Sequence, residues 1–265
     1  MRRLAITLLL MSSVISHAAE CTVRSGPQTA ALIELYTSEG CSSCPPADRW
    51  FSGDRPLVPR GREAPAGSVI GTSGLSPVLI AFHVAYWDYL GWKDPFGDAR
   101  FTERQQQFAR LAGARSVYTP QVVLAGRDFP EWRSGGAARA VEAINGRPAK
   151  AQLEISTTGA TASVKAALAP GVSTADLALF VALTESGLVT QVRAGENRGE
   201  TLRHDHVARD LKTARNWSAK GELVAAADFA AQPGKRERMR VVAFVQSLKT
   251  GEVLQALSAP LCLGV

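Results

Sequence analysis

The stretch TAALIELYT (29–37) is apolar at both alternating sets of positions except at Glu34, and so predicts a strand buried on both faces. PVLIAFHVAYW (77–87) repeats that pattern and predicts a second buried strand running into an aromatic segment. Between them, CSSCPPADRWF reads as the start of a helix, and residues 52–77, rich in Gly, Pro and Ser, read as a surface excursion. In DARFTERQQQFARLAG (98–113), the spacing of Phe101, Gln105, Phe108 and Leu111 predicts an amphipathic helix ended by Gly113. TPQVVLAG (119–126) predicts a third strand, and SGGAARAVEAING (134–146) a helix ended by Gly146. This order of strands and helices implies an α/β layer over a mixed sheet, covering residues 20–150.

After RPAK (147–150) the texture changes. AQLEISTTGATASVKAAL (151–168) and ADLALFVALTE (175–185) alternate like half-exposed strands. RMRVVAFVQSLKTGEVLQALSAPL (238–261) predicts two strands joined by a Thr-Gly turn, and GKRERMR (234–240) a solvated turn entering the first. VARDLKTA (207–214) looks helical. Residues 151–265 therefore predict a second, smaller β-rich sandwich domain.

Composition then sets the compartment. Residues 1–19 begin with Arg2 and Arg3, continue with an apolar core from Leu4 to Ile15 and end in Ser16, Ala18 and Ala19. This is the plan of a secretory signal peptide, and its apolar run is too short to span a bilayer. Glu20 before Cys21 argues against lipid attachment, so no membrane anchor is expected. The predicted location is the periplasm or the secreted fraction. Lys and Arg number 30 against 24 Asp and Glu, a mild excess spread along the chain, and no nucleic-acid module is legible.

Four cysteines lie beyond the signal segment: Cys21, Cys41, Cys44 and Cys262. An even number in an exported chain predicts disulfides. Chain ends often lie close together, which makes Cys21–Cys262 a candidate bridge. Cys41 and Cys44, two residues apart after a buried strand, are a candidate redox pair. A helix N-terminus would stabilise a thiolate on Cys41, and Cys44, one turn on, would resolve a mixed disulfide formed there. Pro45 and Pro46 suit a helix opening, with a kink or restarted turn expected at Pro46.

ELYTSEGCSSCPPAD, AFHVAYWDYLGWKDPF and YTPQVVLAGRDF, with GENRGETLRHDHVARDL further on, together resemble a secreted thioredoxin-like family known as domain of unknown function 1223. The resemblance implies a thioredoxin-like fold. It also implies a cis-proline facing the cysteines, matched here by Pro120 after Thr119, whose backbone would pair with an extended substrate. Departures from thioredoxin itself are plain. Ser42 and Ser43 stand between the cysteines, and Leu35 occupies the place of the buried acid.

Glu34, next to that place, has two readings: a proton acceptor for Cys44, or a carboxylate that emerges at a strand edge or pairs with a nearby arginine. His83, at the end of a buried strand, either assists Cys41 or is a hydrogen-bonded core histidine. Trp87, with Tyr86, Tyr89, Trp92 and Phe96, forms either a wall for a peptide substrate or packing. Asp88 and Asp94 read as turn residues. His204 and His206 are too few for a metal site, Cys41, Cys44 and His83 lack a fourth ligand, and no cofactor motif is present. The sequence thus predicts a thiol–disulfide oxidoreductase using Cys41, Cys44 and Pro120, with protein thiols or disulfides as partners. The rivals are a binding protein with a structural Cys41–Cys44 staple, and a metallochaperone.

Overall fold

The structure is a computed structural model that describes residues 20–54 and 76–262. The signal segment and most of the 52–77 excursion lie outside the described residues. In chain order the elements are β1 (Glu20–Arg24), β2 (Leu32–Thr37), α1 (Pro45–Arg49), β3 (Val78–His83), α2 (Ala99–Leu111), β4 (Gln121–Leu124), β5 (Arg127–Asp128) and α3 (Ala137–Asn145). The second half supplies strands and one 3-10 turn at Arg236–Arg238: β6 (Ala151–Thr158), β7 (Thr161–Leu168), β8 (Leu177–Glu185), β9 (Leu188–Gln191), β10 (Thr201–His204), β11 (Val207–Ala214), β12 (Glu222–Asp228), β13 (Met239–Ser247) and β14 (Val253–Pro260).

One mixed eight-stranded sheet dominates, in the order β14-β13-β8-β11-β3-β2-β4-β5. β2 and β3 run parallel, from Leu32 opposite Val78 to Thr37 opposite His83. β11 joins β3 in parallel at Val207 and Ala81, where the Ala81 N–H donates to the His206 carbonyl at 2.8 Å. A second sheet, β1-β6-β7-β12, packs on the β8–β13–β14 half. Side-chain alternation divides the large sheet into two faces. Leu32, Tyr36, Phe82, Phe180 and Phe244 face α2 through Phe101 and Phe108. On the other face, Ile33, Leu35 and Ala81 meet Ala47 and Phe51 near α1 and Val141 and Ile144 of α3.

The expected fold class is overturned. The described chain is β-rich, with three α-helices among the described residues, and is not an α/β thioredoxin-like domain followed by a separate sandwich. The sheet built by β2, β3 and β4 does not stop at the middle of the chain, because β11, β8, β13 and β14 extend it sideways. Two local expectations change for the same reason. All nine residues of β8 are buried, since it lies inside the sheet between two core layers. VARDLKTA is strand β11 rather than helix. The other local readings match their elements: α2 buries Phe101, Gln105 and Phe108 while Leu111 is exposed, and α3 ends at Gly146.

Cys21 and Cys262 sulfurs lie 2.10 Å apart, at disulfide distance, and tie β1 to the chain beyond β14. With the Cys41–Cys44 pair this gives two disulfides, a usage that suits an oxidising compartment. No described helix is long and apolar enough to cross a membrane.

Candidate functional site

β2 ends at Thr37, and the chain turns through Ser38–Gly40 into Cys41. The Cys41 N–H donates to the Ser38 carbonyl at 3.2 Å and the Cys44 N–H to the Cys41 carbonyl at 3.1 Å, so the pair sits in two successive tight turns. Gly40 lets this turn approach the aromatic segment, because a Cβ there would come within 3.0 Å of Trp87 Cβ. The Cys41 and Cys44 sulfurs lie 2.24 Å apart, and both residues are buried while Ser42 and Ser43 are exposed.

Cys44 is the N-cap of α1, and Pro45 and Pro46 occupy its first two positions, where an N–H would have no intrahelical partner. No kink falls at Pro46; the chain leaves helical geometry at Gly53. The expected stabilisation of Cys41 by free helix N–H groups does not apply, since α1 has five residues and prolines remove its first two donors. Hydroxyls serve Cys41 instead. Thr119 Oγ1 donates to Cys41 Sγ at 3.2 Å, and Ser43 Oγ lies 3.3 Å from the same sulfur. Trp87 Nε1 donates to Thr119 Oγ1 at 2.8 Å. The Thr119–Pro120 peptide is cis and Pro120 is buried. Cys41, Cys44, Thr119, Pro120 and Trp87 are thus brought together.

Behind the pair lies a buried polar cluster. His83 stands opposite Thr37 in register and so faces the α1 side of the sheet. Its Nδ1 lies 2.7 Å from Asp94 Oδ2, which also accepts the Glu39 N–H at 2.8 Å, while Asp94 Oδ1 accepts the Phe96 N–H at 2.9 Å. Burial alone would push Asp94 up, but His83 and these N–H groups outweigh it and hold the carboxyl below its ordinary range. Burial likewise works against a charged His83, yet the negative charge of Asp94, helped by Asp48 and Glu39, raises the imidazole above its ordinary value.

His204 of β10 stands edge-on to His83, ring centroids 4.8 Å apart. Its Nε2 lies 3.1 Å from Glu39 Oε1, and its Nδ1 lies 4.0 Å from Asp48 Oδ1. Glu39 Oε2 accepts from Trp92 Nε1 at 2.9 Å. Burial pushes the Asp48 carboxyl up, against the opposing pull of His204 and His83. His83 Nε2 and His204 Nδ1 are both buried without a hydrogen-bond partner. Over the cysteines lies the turn between β9 and β10. Asn197 Nδ2 donates to the Glu39 carbonyl at 2.8 Å and to the Cys41 carbonyl at 3.0 Å, and Glu196 accepts the Ser42 N–H at 2.9 Å.

Glu34 is not part of this assembly. It faces the opposite side of β2, where it pairs with Arg104 of α2, so the paired-carboxylate reading describes it and the proton-acceptor role for Cys44 is corrected. His206 also diverges from His204: it sits in a turn at φ 58°, its ring edge-on to Phe51. Asp94, read from sequence as a turn residue, is a buried partner of His83, whereas Asp88 does accept a turn N–H, that of Asp94. Sequence reasoning missed Glu39, Asp48, Asn197 and the link from His204 to Glu39. Only Asp48, four residues after Cys44 and therefore on its helix face, left a local signal. A cavity of about 820 Å³ lies elsewhere, lined by Arg127, Arg147, Lys150 and Glu252, and holds none of these residues.

The fold is similar to that of solved proteins. A crystal structure of a protein from Agrobacterium tumefaciens aligns with a TM-score of 0.63 at 22% identity, covering 88% of this chain and 95% of that one. HBP35 of Porphyromonas gingivalis aligns with a TM-score of 0.61 at 15% identity, covering 89% of this chain and 76% of its own. No curated protein matches the sequence. A family model described as protein of unknown function (DUF1223) matches residues 32–246, and the chain belongs to that family.

Proposed function

We propose that the protein is a thiol–disulfide oxidoreductase exported to the periplasm or beyond the cell, exchanging the Cys41–Cys44 disulfide with protein thiols or disulfides. Cys41 is the attacking and attacked sulfur, and Cys44 resolves. The observation that carries this reading is the seating of a two-residue-spaced disulfide between a hydroxyl donor, Thr119 Oγ1, and a buried group of histidines and carboxyls. Thiol exchange moves protons with electrons, and buried ionisable groups on the segments that carry the cysteines, Glu39 before Cys41 and Asp48 one turn after Cys44, give those protons somewhere to go. A local staple needs no such neighbours.

One observation favours the second reading, a structural disulfide in a binding protein: both cysteines are fully buried. Glutathione titration of the protein lacking residues 1–19 separates the two. A reduction potential within roughly −120 to −270 mV, the span of known exchange catalysts, is expected for the oxidoreductase; one below about −300 mV makes the pair a staple. In parallel, Cys44→Ser should trap mixed disulfides through Cys41 in extracts of the exported compartment. An empty trap counts against exchange.

A further inference from the structure

Exchange between Cys41 and Cys44 moves protons, and five ionisable groups lie behind the pair to receive them. Glu39, Asp48 and Asp94 bring three carboxyls and His83 and His204 two imidazoles, all buried. Among the described residues no lysine or arginine pairs with any of these carboxyls. Even with both imidazoles protonated, three ionised carboxylates would leave one negative charge uncompensated and out of water. A group so placed takes up a proton instead.

Hydrogen bonding identifies which carboxyl keeps it. Asp94 accepts from His83 and two backbone N–H groups, and Glu39 accepts from Trp92 and faces His204 Nε2. Asp48 lacks such support: the Thr37 hydroxyl is itself without a hydrogen-bond partner, and His204 Nδ1, also unpartnered, stands beyond hydrogen-bond reach at 4.0 Å. It is the least supported anion of the three. Its place on α1 matters as much. The Asp48 N–H donates to the Cys44 carbonyl at 3.2 Å, so the two side chains lie one turn apart on the same buried face, with Cβ atoms about 5–6 Å apart.

We propose that Asp48 exchanges a proton with Cys44 during disulfide exchange, and that His204 is the positioning residue that holds the charge Asp48 acquires. The inference rests on the exchange reading. A substrate thiolate attacks Cys41 Sγ; the new S–S bond forms as the Cys41–Cys44 bond breaks, and the electron pair leaves on Cys44 Sγ. Asp48 gives its proton to that thiolate and becomes a carboxylate facing His204. A second substrate thiolate then displaces Cys41, so the substrate departs as a disulfide, oxidised by two electrons, and both protein sulfurs are reduced. In the reverse direction the Asp48 carboxylate removes the Cys44 proton. The other titratable groups around Asp48 are His83, Asp94 and Glu39, whose hydrogen bonds are already set.

The test is a thiol titration that needs no exchange partner. In Cys41→Ser protein, Cys44 thiolate formation is followed by ultraviolet absorbance across pH. Adding D48N removes the neighbouring negative charge and should make Cys44 more acidic by about tenfold or more. Adding H204Q instead removes the imidazole that faces the Asp48 carboxylate and should shift Cys44 the opposite way. Opposite shifts of this kind are not produced by a purely structural role. Should D48N fail to fold, H204Q alone decides. Cys44 titrating within twofold of the Cys41→Ser parent in every folded variant overturns the proposal. The exchange reading stands or falls separately, on the glutathione titration of the intact pair.

Discussion

His83 Nδ1 and Asp94 Oδ2 meet at 2.7 Å with neither side chain exposed to solvent, making this a fully buried ion pair against the cysteine loop. Its two partners set the sign of a pH dependence. Burial opposes the charge on His83, but Asp94 overcomes it and raises the imidazole, so its contribution is complete below the ordinary value of 6.5 and is lost as pH rises through the raised value. Asp94 is lowered, against burial, by His83 and by N–H donors, so its contribution is complete above 3.8 and is lost in acid. His83→Gln should therefore cost about 3–5 kcal/mol between these limits. The deficit should shrink as pH climbs past His83's titration. Urea midpoints of both proteins from pH 5 to 9 check this, and a deficit of constant size across that range would refute it.

On the other face of the sheet, Glu34 and Arg104 form a second buried pair, with the Arg104 guanidinium 4.7 Å from the Phe180 ring centroid and 5.1 Å from that of Phe244. Breaking it from one side strands a charge: Arg104→Met should cost about 3–5 kcal/mol, and adding Glu34→Gln should recover much of the loss. Neither change should move the Cys41–Cys44 potential, because β2 separates them from the sulfurs. A Glu34→Gln protein of altered potential would return Glu34 to the redox site.

Much of this was readable along the chain, and the unreadable part has a common cause. β2, β3, α2 and α3 announce themselves through periodicity, and the cysteine pair through its spacing. β11 does not: a bulge between Ala208 and Asp210 breaks the strand's alternation, leaving Val207 and Leu211 four apart in a helix-like rhythm. Nor does a run of apolar residues reveal its neighbours, so that β8 and β13 read as a separate domain although they extend the sheet of β2 and β3. The site shows the same limit. His204 meets Glu39 across 165 residues of sequence, and no local pattern records that pairing.

The Cys21–Cys262 bridge closes nearly the whole chain, joining residues 241 positions apart. β1 pairs with β6 from Glu20–Thr158 to Arg24–Glu154, and the Cys262 N–H donates to Thr157 Oγ1 on the same strand. Replacing both cysteines by serine should lower stability by about 2–5 kcal/mol. The chain should be clipped first near β1, an edge strand left with β6 as its one neighbour. Limited proteolysis with mass mapping tests the second point; first cleavage at another site would mean that β1 is held without the bridge.

Access to the buried disulfide leads to the last expectation. Ser42 and Ser43 are open to solvent, yet Cys41 is covered, and the buried Asn197 amide joins the covering turn to the carbonyls of Glu39 and Cys41. Asn197→Ala deletes both donors at once. The Cys41 carbonyl keeps the Cys44 N–H, but the turn loses its hold on the loop. Two such bonds are worth about 1–2 kcal/mol of local opening, which is roughly a five- to thirtyfold larger open population. Reduction of Cys41–Cys44 by a water-soluble phosphine should accelerate by that factor, while the global urea midpoint changes far less, because the β9–β10 hairpin forms a sheet of its own. An unchanged rate in a folded variant would mean that reagents reach the sulfurs from the Thr119 side instead.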